Sequence, residues 1–341
     1  MNWWKKLKAN PLARWGAMVL LVFYLAVILA DWVAPYGVYD APKNSALLPP
    51  TQIYWHNPQG ELIGPHVYPT IQGAVDMETG KRELRVDRTA PDPIRLFIHG
   101  HLFGTEGKGR LNLLGTDEQG RDQLTRLLYG GRVSLFIGII GTTISFAIGC
   151  LVGGISGYFG GWLDAVLMRL AEVLMSVPSI YLLVSLSVFL PAQLSNTQRF
   201  LLIVCIISFV QWAGLARVVR GQVMSIKEAE FITAAKATGA SPLRIIIRHV
   251  LPQTASYIII SATLAIPSFI VSESVLSLIG LGIQPPDPSW GNMLSLATNS
   301  SIIVLQPWLI WSPSLLIILT VLAFNLLGDG LRDALDPKNL N

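Results

Sequence analysis

Charged residues are scarce in this sequence. Asp, Glu, Lys and Arg together make up 13% of its 341 residues, whereas 52% are hydrophobic. Soluble domains usually contain about 25% charged residues, so this composition excludes an ordinary water-soluble fold and indicates a protein whose solvent is the lipid bilayer. The net charge of +4 is spread along the chain and forms no stripe, which argues against a nucleic-acid-binding surface.

Cysteine is equally scarce. Cys150 and Cys205 lie in apolar runs, and neither has a second cysteine at CxxC spacing. Disulfide, zinc and thiol-redox functions are therefore poorly supported, and packing explains both residues better. The sequence also has no Walker motif, no HExxH and no GxSxG. We therefore predict a protein that is not an enzyme and has no catalytic, cofactor-binding or metal-binding residues of its own.

Long apolar runs are what the sequence has in abundance. A helix needs about 20 mostly apolar residues to cross the hydrocarbon, and such spans must be helical because backbone amides in lipid are satisfied within the segment. Six runs qualify: 16–33, the first two thirds of 133–163, 171–190, 200–216, 255–281 and 308–327. No small-residue cleavage site follows the first run, so we interpret it as a retained signal-anchor helix.

Lysine and arginine residues predict the orientation. Four of them lie in the N-terminal flank and six lie in the connection 217–253, whereas the stretch 282–307 contains none. Positively charged connections stay in the cytoplasm, so both termini and 217–253 are predicted to be cytoplasmic. The segment 34–132 then lies outside, and it is longer than the loops to which the rule applies.

That external segment differs from the rest of the chain. Residues 35–110, which we call the lobe, are rich in Pro, Gly and polar residues, with β-prone pieces at 52–55 and 94–98. We expect a small extracytoplasmic lobe with some strands. His99 and His101 have no acidic or thiol companions, so we interpret them as surface residues rather than a metal pair.

An amphipathic helix is predicted directly after the lobe. Thr116 and Gln119 have the spacing of a capping box, apolar side chains follow on one face, and Gly130 can end the helix in a left-handed conformation. The helix would lie at the outer interface before the second span. It could be a lipid-surface helix or a plug against a partner subunit.

The connection 217–253 has the pattern of two capped helices. Ser225 and Glu228 have capping-box spacing, and good helix formers follow over 225–238. Gly239 suits the position after a helix where φ is positive, and Ser241-Pro242 can begin a second helix. This helix–turn–helix, rich in alanine, predicts a docking site for another protein.

Three features inside the predicted spans need an explanation. Glu273 is costly in lipid, so it faces protein or water, and it either lines a solute pathway or pairs with an arginine of a partner subunit. Arg169 and Glu172 lie one helical turn apart and predict a local salt bridge. Pro178 and Pro267 predict kinks that serve as hinges or give irregular packing.

Ordered motifs between residue 111 and the C-terminus carry a family resemblance. They are GTDEQGRD at 115–122, YGGRVS at 129–134, GGWLD at 160–164, TAAKATG at 233–239 followed by HVLP at 249–252, and LIGLG at 278–282 followed by PPDPSWG at 285–291. Together they resemble the C-type subunits of the dipeptide/oligopeptide/nickel permease family of ABC importers, and 217–253 resembles the EAA loop of these permeases. Two positions depart from the pattern: Thr233 replaces a glutamate, and Glu172 stands where an aspartate is expected.

The resemblance implies a fold and its partners. The fold would be an all-α polytopic membrane protein with six helices of the type I ABC importer permease type. It would pair with a homologous B-type permease, two ATPase subunits that hold ATP and Mg, and an extracytoplasmic substrate-binding protein, in a bacterial inner membrane. Residues implied in ATPase coupling are Glu228, Thr233, Ala234, Ala235, Gly239, Ala240, Leu251 and Pro252.

The chain accordingly divides into predicted parts. These are the N-terminal flank and first helix (1–34), the lobe with its interfacial helix (35–132), a five-helix core (133–328) that contains the coupling loop (217–253), and a cytoplasmic tail (329–341). Dipeptides or oligopeptides are the implied solute, with nickel or another small solute as the alternative. An ion-coupled carrier is the rival class, but such carriers contain inverted repeats and several buried ionisable groups.

Overall fold

Long apolar helices account for most of the computed structural model, which describes residues 3–76, 82–98, 100–191 and 193–335. The α-helices are α1 (Trp3–Ala9), α2 (Pro11–Ile28), α3 (Ala30–Val33), α4 (Gln123–Phe159), α5 (Gly161–Ser176), α6 (Ser179–Val188), α7 (Asn196–Ile226), α8 (Glu230–Ala237), α9 (Pro242–Ile245), α10 (Ala255–Leu278), α11 (Trp290–Leu294), α12 (Ser300–Leu305) and α13 (Trp308–Leu335). Short π-helical and 3-10 turns connect several of them: Ile246–Val250, Leu251–Thr254 and Ser295–Thr298.

Five of the described helices are long and apolar enough to cross a membrane, and the bent pair α5 and α6 adds a sixth if its two helices form one broken span. The five are α2, α4, α7, α10 with its preceding turns, and α13. Each predicted apolar run overlaps one of these elements. The prediction of an all-α polytopic membrane protein is thereby confirmed. Helix α13 continues to Leu335, so the described part of the predicted tail 329–341 is helical.

The chain forms two compact units. Unit 1 comprises Met1–Leu20, Phe136–Leu276 and Leu319–Asn341. Unit 2 comprises Leu21–Leu135 and Ser277–Ile318. The coupling loop lies in unit 1 and the lobe lies in unit 2.

The third span is broken at Pro178. Helices α5 and α6 are bent by 90° relative to each other. Val177 has an extended backbone (ψ 132°) because proline disfavours the helical conformation in the residue before it. Pro178 then precedes the first turn of α6. The kink predicted at Pro178 is therefore confirmed and is a complete break, whereas Pro267 lies inside the uninterrupted helix α10.

The prediction of a separate interfacial helix after the lobe is wrong. Thr116 caps no helix: its hydroxyl donates to Ser45 O and accepts from Leu48 N at 2.8 Å. The cap is Asp122, whose Oδ2 accepts from the amide and hydroxyl of Thr125, both at 2.8 Å. Helix α4 then continues through Gly130 to Phe159.

A contact with the distant Trp290 explains why α4 does not stop at Gly130. The next residue, Gly131, faces the indole of Trp290, and a Cβ at Gly131 would approach this ring to 3.0 Å. Trp290 also donates from Nε1 to Leu127 O at 2.9 Å and from its amide to Ser134 Oγ at 3.1 Å. Gly131 therefore permits a close approach between α4 and the segment 285–291, and the glycines here do not end a helix.

In unit 1, glycines on one face of α4 bring its backbone close to α7. A Cβ at Gly149 would lie 3.0 Å from Trp212 O, and a Cβ at Gly157 would lie 2.7 Å from Arg220 O. Gly153, between them, faces Ala216 O in the same way. This spacing of four is the small-residue pattern that membrane helices use to pack closely, because lipid provides no hydrophobic force to drive them together.

In unit 2, a buried ion cluster fixes the segment before α4. Asp117 is 4% exposed and accepts from Arg121 at 2.7 Å, and Arg126 Nε lies 3.3 Å from the same carboxylate. Both arginines also donate to the carbonyl oxygen of Pro286, at 3.4 and 3.2 Å. The GTDEQGRD and PPDPSWG motifs are thus two halves of one polar contact.

The six strands found among the described residues all lie in the lobe. They are β1 (Tyr54–His56), β2 (Leu62–Val67), β3 (Thr70–Val75), β4 (Arg82–Val86), β5 (Asp92–Ile98) and β6 (His101–Thr105). Strands β1-β2-β5-β6 form one antiparallel sheet in that order, and β3 pairs with β4. The β-prone pieces at 52–55 and 94–98 overlap β1 and β5. His99, of the histidine pair discussed above, lies outside the described residues.

We expect Gly153→Val to destabilise the protein by about 1–3 kcal/mol, because the added side chain overpacks the contact of α4 with α7. The measurement is the thermal unfolding midpoint of the purified protein in detergent. Gly221→Val is the matched control, since a Cβ at Gly221 on α7 has no atom within 4 Å. Equal midpoints for the two variants would contradict the close packing.

We expect Asp117→Asn to cost about 3–5 kcal/mol, because it leaves two buried guanidinium groups without a counter-charge. The comparison is Glu172→Gln, which removes the exposed partner of Arg169 (N–O 3.1 Å) and should change stability by less than about 1 kcal/mol. The stability of both variants is compared through their resistance to trypsin after membrane insertion. A D117N protein as resistant as E172Q would show that the cluster contributes little.

Candidate functional site

The coupling loop is built as a sequence of short helical pieces. Helix α7 ends at Ile226, α8 follows after a three-residue turn, and α9 follows after a second turn at Gly239. The π-helical turn Ile246–Val250 and the 3-10 turn Leu251–Thr254 then connect α9 to α10. The predicted helix–turn–helix is confirmed in outline, with Ser241 and Pro242 at the start of α9.

The predicted capping box at the start of this site is wrong. Ser225 lies in the last turn of α7, and the residue that precedes α8 is Ala229, which makes no side-chain cap. Helix α7 continues past the predicted boundary because Val219 and Val223, one turn apart, are both completely buried. Their packing outweighs the local capping preference of Ser225 and Glu228.

The second turn has the geometry that the sequence predicts. Gly239 has φ of 79°, a conformation that residues with a Cβ resist. Its amide donates to Lys236 O at 3.0 Å, and the Ala240 amide donates to Ala235 O at 3.2 Å. These two bonds are the pair that defines a Schellman helix end, and the contact of Ala240 with the cluster around Ala235 completes the motif.

One face of α8 is anchored to the helices of unit 1. Ile232 is completely buried and Ala235 is 8% exposed. They belong to a hydrophobic cluster with residues of α7, α9 and the π-helical turn: Leu215, Val219, Val223, Ile245 and Val250. Phe146, Cys150 and Tyr158 of α4 pack against the same cluster. A displacement of α8 would therefore act directly on α4, α7, α9 and the π-helical turn.

The opposite face of α8 is exposed. Among the residues implied in ATPase coupling, Glu228, Thr233, Ala234, Gly239 and Pro252 are exposed, Ala240 and Leu251 are half-buried, and Ala235 is buried. The structure thus separates the implied residues into an accessible set and a set that anchors the loop. Their roles in coupling stay predictions.

Sequence reasoning missed three large apolar side chains on the exposed side of the loop. Phe231 is 45% exposed, Leu243 is 53% exposed and Ile247 is 50% exposed. The sequence contains a signal for two of them. Leu243 and Ile247 are four residues apart, and this spacing places them on a different face from the buried residues of the same segment. Contiguous exposed apolar side chains, unlike single ones, are typical of a protein–protein contact.

Sequence reasoning also missed the ion pair that joins three helices beside the loop. Arg220 of α7 donates from Nη2 to Asp164 Oδ2 of α5 at 2.6 Å, and Ser156 of α4 donates to the same carboxylate. Lys236 of α8 lies 5.6 Å above the ring of Tyr158 at the end of α4. The available signal was the position of Asp164 in the GGWLD motif, whose partner is 56 residues away.

Glu273 is completely buried in α10, with 0% of its surface exposed. Its carboxyl group therefore does not face lipid, as expected from the cost of a charge in hydrocarbon. Its assignment to a pathway or to a subunit interface stays a prediction. The predicted salt bridge of Arg169 with Glu172 is present, with both side chains substantially exposed.

Comparison with known proteins identifies the class. The family model described as "Binding-protein-dependent transport system inner membrane component" matches residues 149–341, more than half of the chain. The model described as "N-terminal TM domain of oligopeptide transport permease C" matches residues 2–50. The chain therefore belongs to the family of binding-protein-dependent transport system inner membrane components and is a multi-pass membrane protein.

Individual relatives agree with this assignment. The chain is 34% identical over 337 residues to the dipeptide transport system permease protein DppC of Bacillus subtilis (strain 168), which covers 98% of this chain and 84% of that protein. It is 44% identical over 225 residues to the oligopeptide transport system permease protein OppC of Escherichia coli (strain K12), covering 66% and 72%. The resemblance to C-type permeases is thereby confirmed.

A solved structure is also similar. It is an inward-facing conformation of the MetNI methionine ABC transporter, with a TM-score of 0.47 and 20% sequence identity. The likeness covers 62% of this chain and 97% of that one.

We expect Gly239→Val to loosen the turn between α8 and α9, because a β-branched residue at positive φ costs about 1–3 kcal/mol. Amide hydrogen exchange over 230–245 should accelerate by about tenfold or more, while exchange in α7 stays unchanged. The control is Ala237→Val, an exposed position in α8 with ordinary helical geometry. Unchanged exchange in G239V would contradict the role of this glycine.

Proposed function

We propose that this chain is the C-type permease subunit of an ATP-driven importer of dipeptides or oligopeptides. Its family, the names of its relatives and the DppC match over 98% of the chain support this assignment. The proposed partners are a homologous B-type permease, two ATPase subunits and an extracytoplasmic substrate-binding protein. Both termini and the coupling loop face the cytoplasm, and the lobe faces the outside.

The observation that carries the proposal is the two-sided construction of the coupling loop. Ile232 and Ala235 anchor one side of α8 in the cluster shared with α4 and α7. Phe231 and Leu243, with Thr233 and other small exposed residues, leave the opposite side open to a partner. A loop that binds a partner protein on one side and packs on the membrane helices on the other can transmit force in either direction.

The proposed mechanism follows from these contacts. The ATPase subunits move towards each other when they bind ATP, and the exposed side of α8 moves with them. The buried side then displaces α7 and α4, which are held together by the glycine contacts and by the bonds of Arg220 and Ser156 to Asp164. Tilting of these helices would exchange outward- and inward-facing states of the pathway. This chain contributes positioning and motion, and the partner ATPases supply the chemistry.

The test is co-purification of the complex with Leu243→Asp. A charge on the exposed side of the loop should reduce recovery of the ATPase subunits by about tenfold, because a carboxylate in an apolar contact is strongly unfavourable. Recovery of the second permease and membrane insertion should be unchanged. Peptide uptake should fall in proportion to ATPase recovery.

The matched control is Leu62→Asp. Leu62 lies in strand β2 of the lobe and is 70% exposed, so the same substitution there should affect neither ATPase recovery nor uptake. Full ATPase recovery with L243D, or equal losses with the two variants, would refute docking at the coupling loop.

A further inference from the structure

The exposed apolar face of the first span ends beside the lobe. Leu25, Leu29 and Trp32 are 48%, 45% and 41% exposed and follow one another at helical spacing. Helical hydrogen bonds continue across the junction of α2 and α3, from Leu29 N to Leu25 O at 2.9 Å and from Val33 N to Leu29 O at 2.8 Å. The three side chains therefore share one face, and Trp32 ends the exposed apolar stripe of this span.

A polar cluster places Trp32 at the edge of the hydrocarbon. Asp31 pairs with Arg132 of α4 at 2.7 Å and accepts from the Tyr129 hydroxyl at 2.6 Å. Arg132 is the last charged residue before the uncharged run 133–163. Charged side chains are costly in the hydrocarbon, whereas Trp and Tyr are enriched where it meets the headgroups. Two spans therefore mark the same level of the bilayer, and Trp32 lies at this level.

Phe97 of β5 lies against Trp32. Their rings stack with centroids 6.0 Å apart and planes 29° from parallel, and α3 packs beside β6, the strand that pairs with β5. Phe97 is nevertheless 70% exposed. Because the two centroids are 6.0 Å apart, the depths of the two rings in the bilayer differ by no more than this distance. A large, exposed apolar side chain of the lobe is thus held at the edge of the hydrocarbon.

The backbone of Phe97 has an unusual conformation. Its φ is 58°, in the left-handed region that bulky residues rarely adopt. Residues strained in this way persist where the surrounding structure determines their conformation, and they cluster at functional sites. Here the strained backbone places the ring of Phe97 against Trp32 and leaves most of it uncovered by the lobe.

We propose that Phe97 and Trp32 insert together into the bilayer at the boundary of headgroups and acyl chains, in the leaflet on the side of the lobe. Aromatic rings are favourable at this depth, and insertion removes the exposed surface of Phe97 from water. Lipid is the favoured contact because the ring continues the exposed apolar stripe of a membrane span.

The β5–β6 hairpin is then held against the membrane, and this part of the lobe rests on the bilayer surface. The inference requires only that α2 crosses the membrane. It does not depend on the transported solute, on the ATPase partners or on the orientation of the chain.

The depth is measured in the full chain in phosphatidylcholine nanodiscs, with Cys150→Ser and Cys205→Ser to remove the native thiols. Leu96→Cys carries a bimane fluorophore next to Phe97 and leaves the stacked pair of rings intact. Lipid with a nitroxide near the top of its acyl chain should lower the emission of this label by about twofold or more, because label and quencher lie at the same depth. Iodide in the aqueous phase should quench the label weakly.

Arg85→Cys with the same label is the positional control. The side chain of Arg85 in β4 is 68% exposed and lies 3.9 Å from that of Glu83, and charged side chains that are this exposed stay in water. Iodide should therefore quench the label at position 85, and the nitroxide lipid should leave its emission unchanged.

Phe97→Asn tests the ring itself. Asparagine tolerates positive φ better than most residues, so this substitution keeps the backbone of the hairpin and removes the apolar side chain. Nitroxide quenching of the label at position 96 should then fall by about threefold or more, and iodide quenching should rise. Phe97→Trp, which keeps an aromatic ring, should retain both values. Unchanged amide hydrogen exchange in β6 shows that the hairpin of F97N is intact, and if it is not, the comparison of positions 96 and 85 decides.

Four results would overturn the proposal. The first three are quenching of the label at position 96 by iodide and not by nitroxide lipid, equal nitroxide quenching at positions 96 and 85, and undiminished nitroxide quenching in F97N with an intact hairpin. The fourth is a label at position 96 that iodide reaches in the chain alone but not in a complex with a second permease or a binding protein. That result would assign this surface to a protein partner.

Discussion

Close contact between α4 and α7 is the constraint on which the coupling loop depends. The glycines at 149, 153 and 157 let the two backbones approach at the level of Trp212, Ala216 and Arg220. The cluster that holds Ile232 and Ala235 of α8 is formed by side chains of these same helices. A larger residue in the glycine series would therefore disturb the packing surface of α8 as well as the helix pair.

The parts of the fold that follow from local chemistry could be predicted from the sequence. The apolar runs predicted the spans, and Gly239 predicted the turn between α8 and α9, because positive φ is a property of a single residue. Pro178 likewise predicted a kink, which the structure has as a 90° bend between α5 and α6. The ordered motifs predicted the family, which the comparisons confirmed.

The parts that follow from tertiary contact could not be predicted. Ser225 has a good capping sequence, yet packing of Val219 and Val223 carries α7 past it. Gly130 resembles a helix end, yet Gly131 beside it makes room for Trp290. The Asp164–Arg220 pair spans 56 residues, so the GGWLD motif marks Asp164 but does not reveal its partner. In each case a contact between distant segments overrides or adds to a local preference.

The length of α4 has a consequence for the membrane. Its 37 residues extend over about 55 Å at 1.5 Å per residue, whereas the hydrocarbon of a bilayer is about 30 Å thick. Tilt alone absorbs little of this difference, so both the polar first turn and the aromatic end at Tyr158 and Phe159 can reach the headgroups. In bilayers of different thickness, different lengths of the two helix ends would then project from the hydrocarbon, and the apolar middle of the helix would neither bend nor stretch.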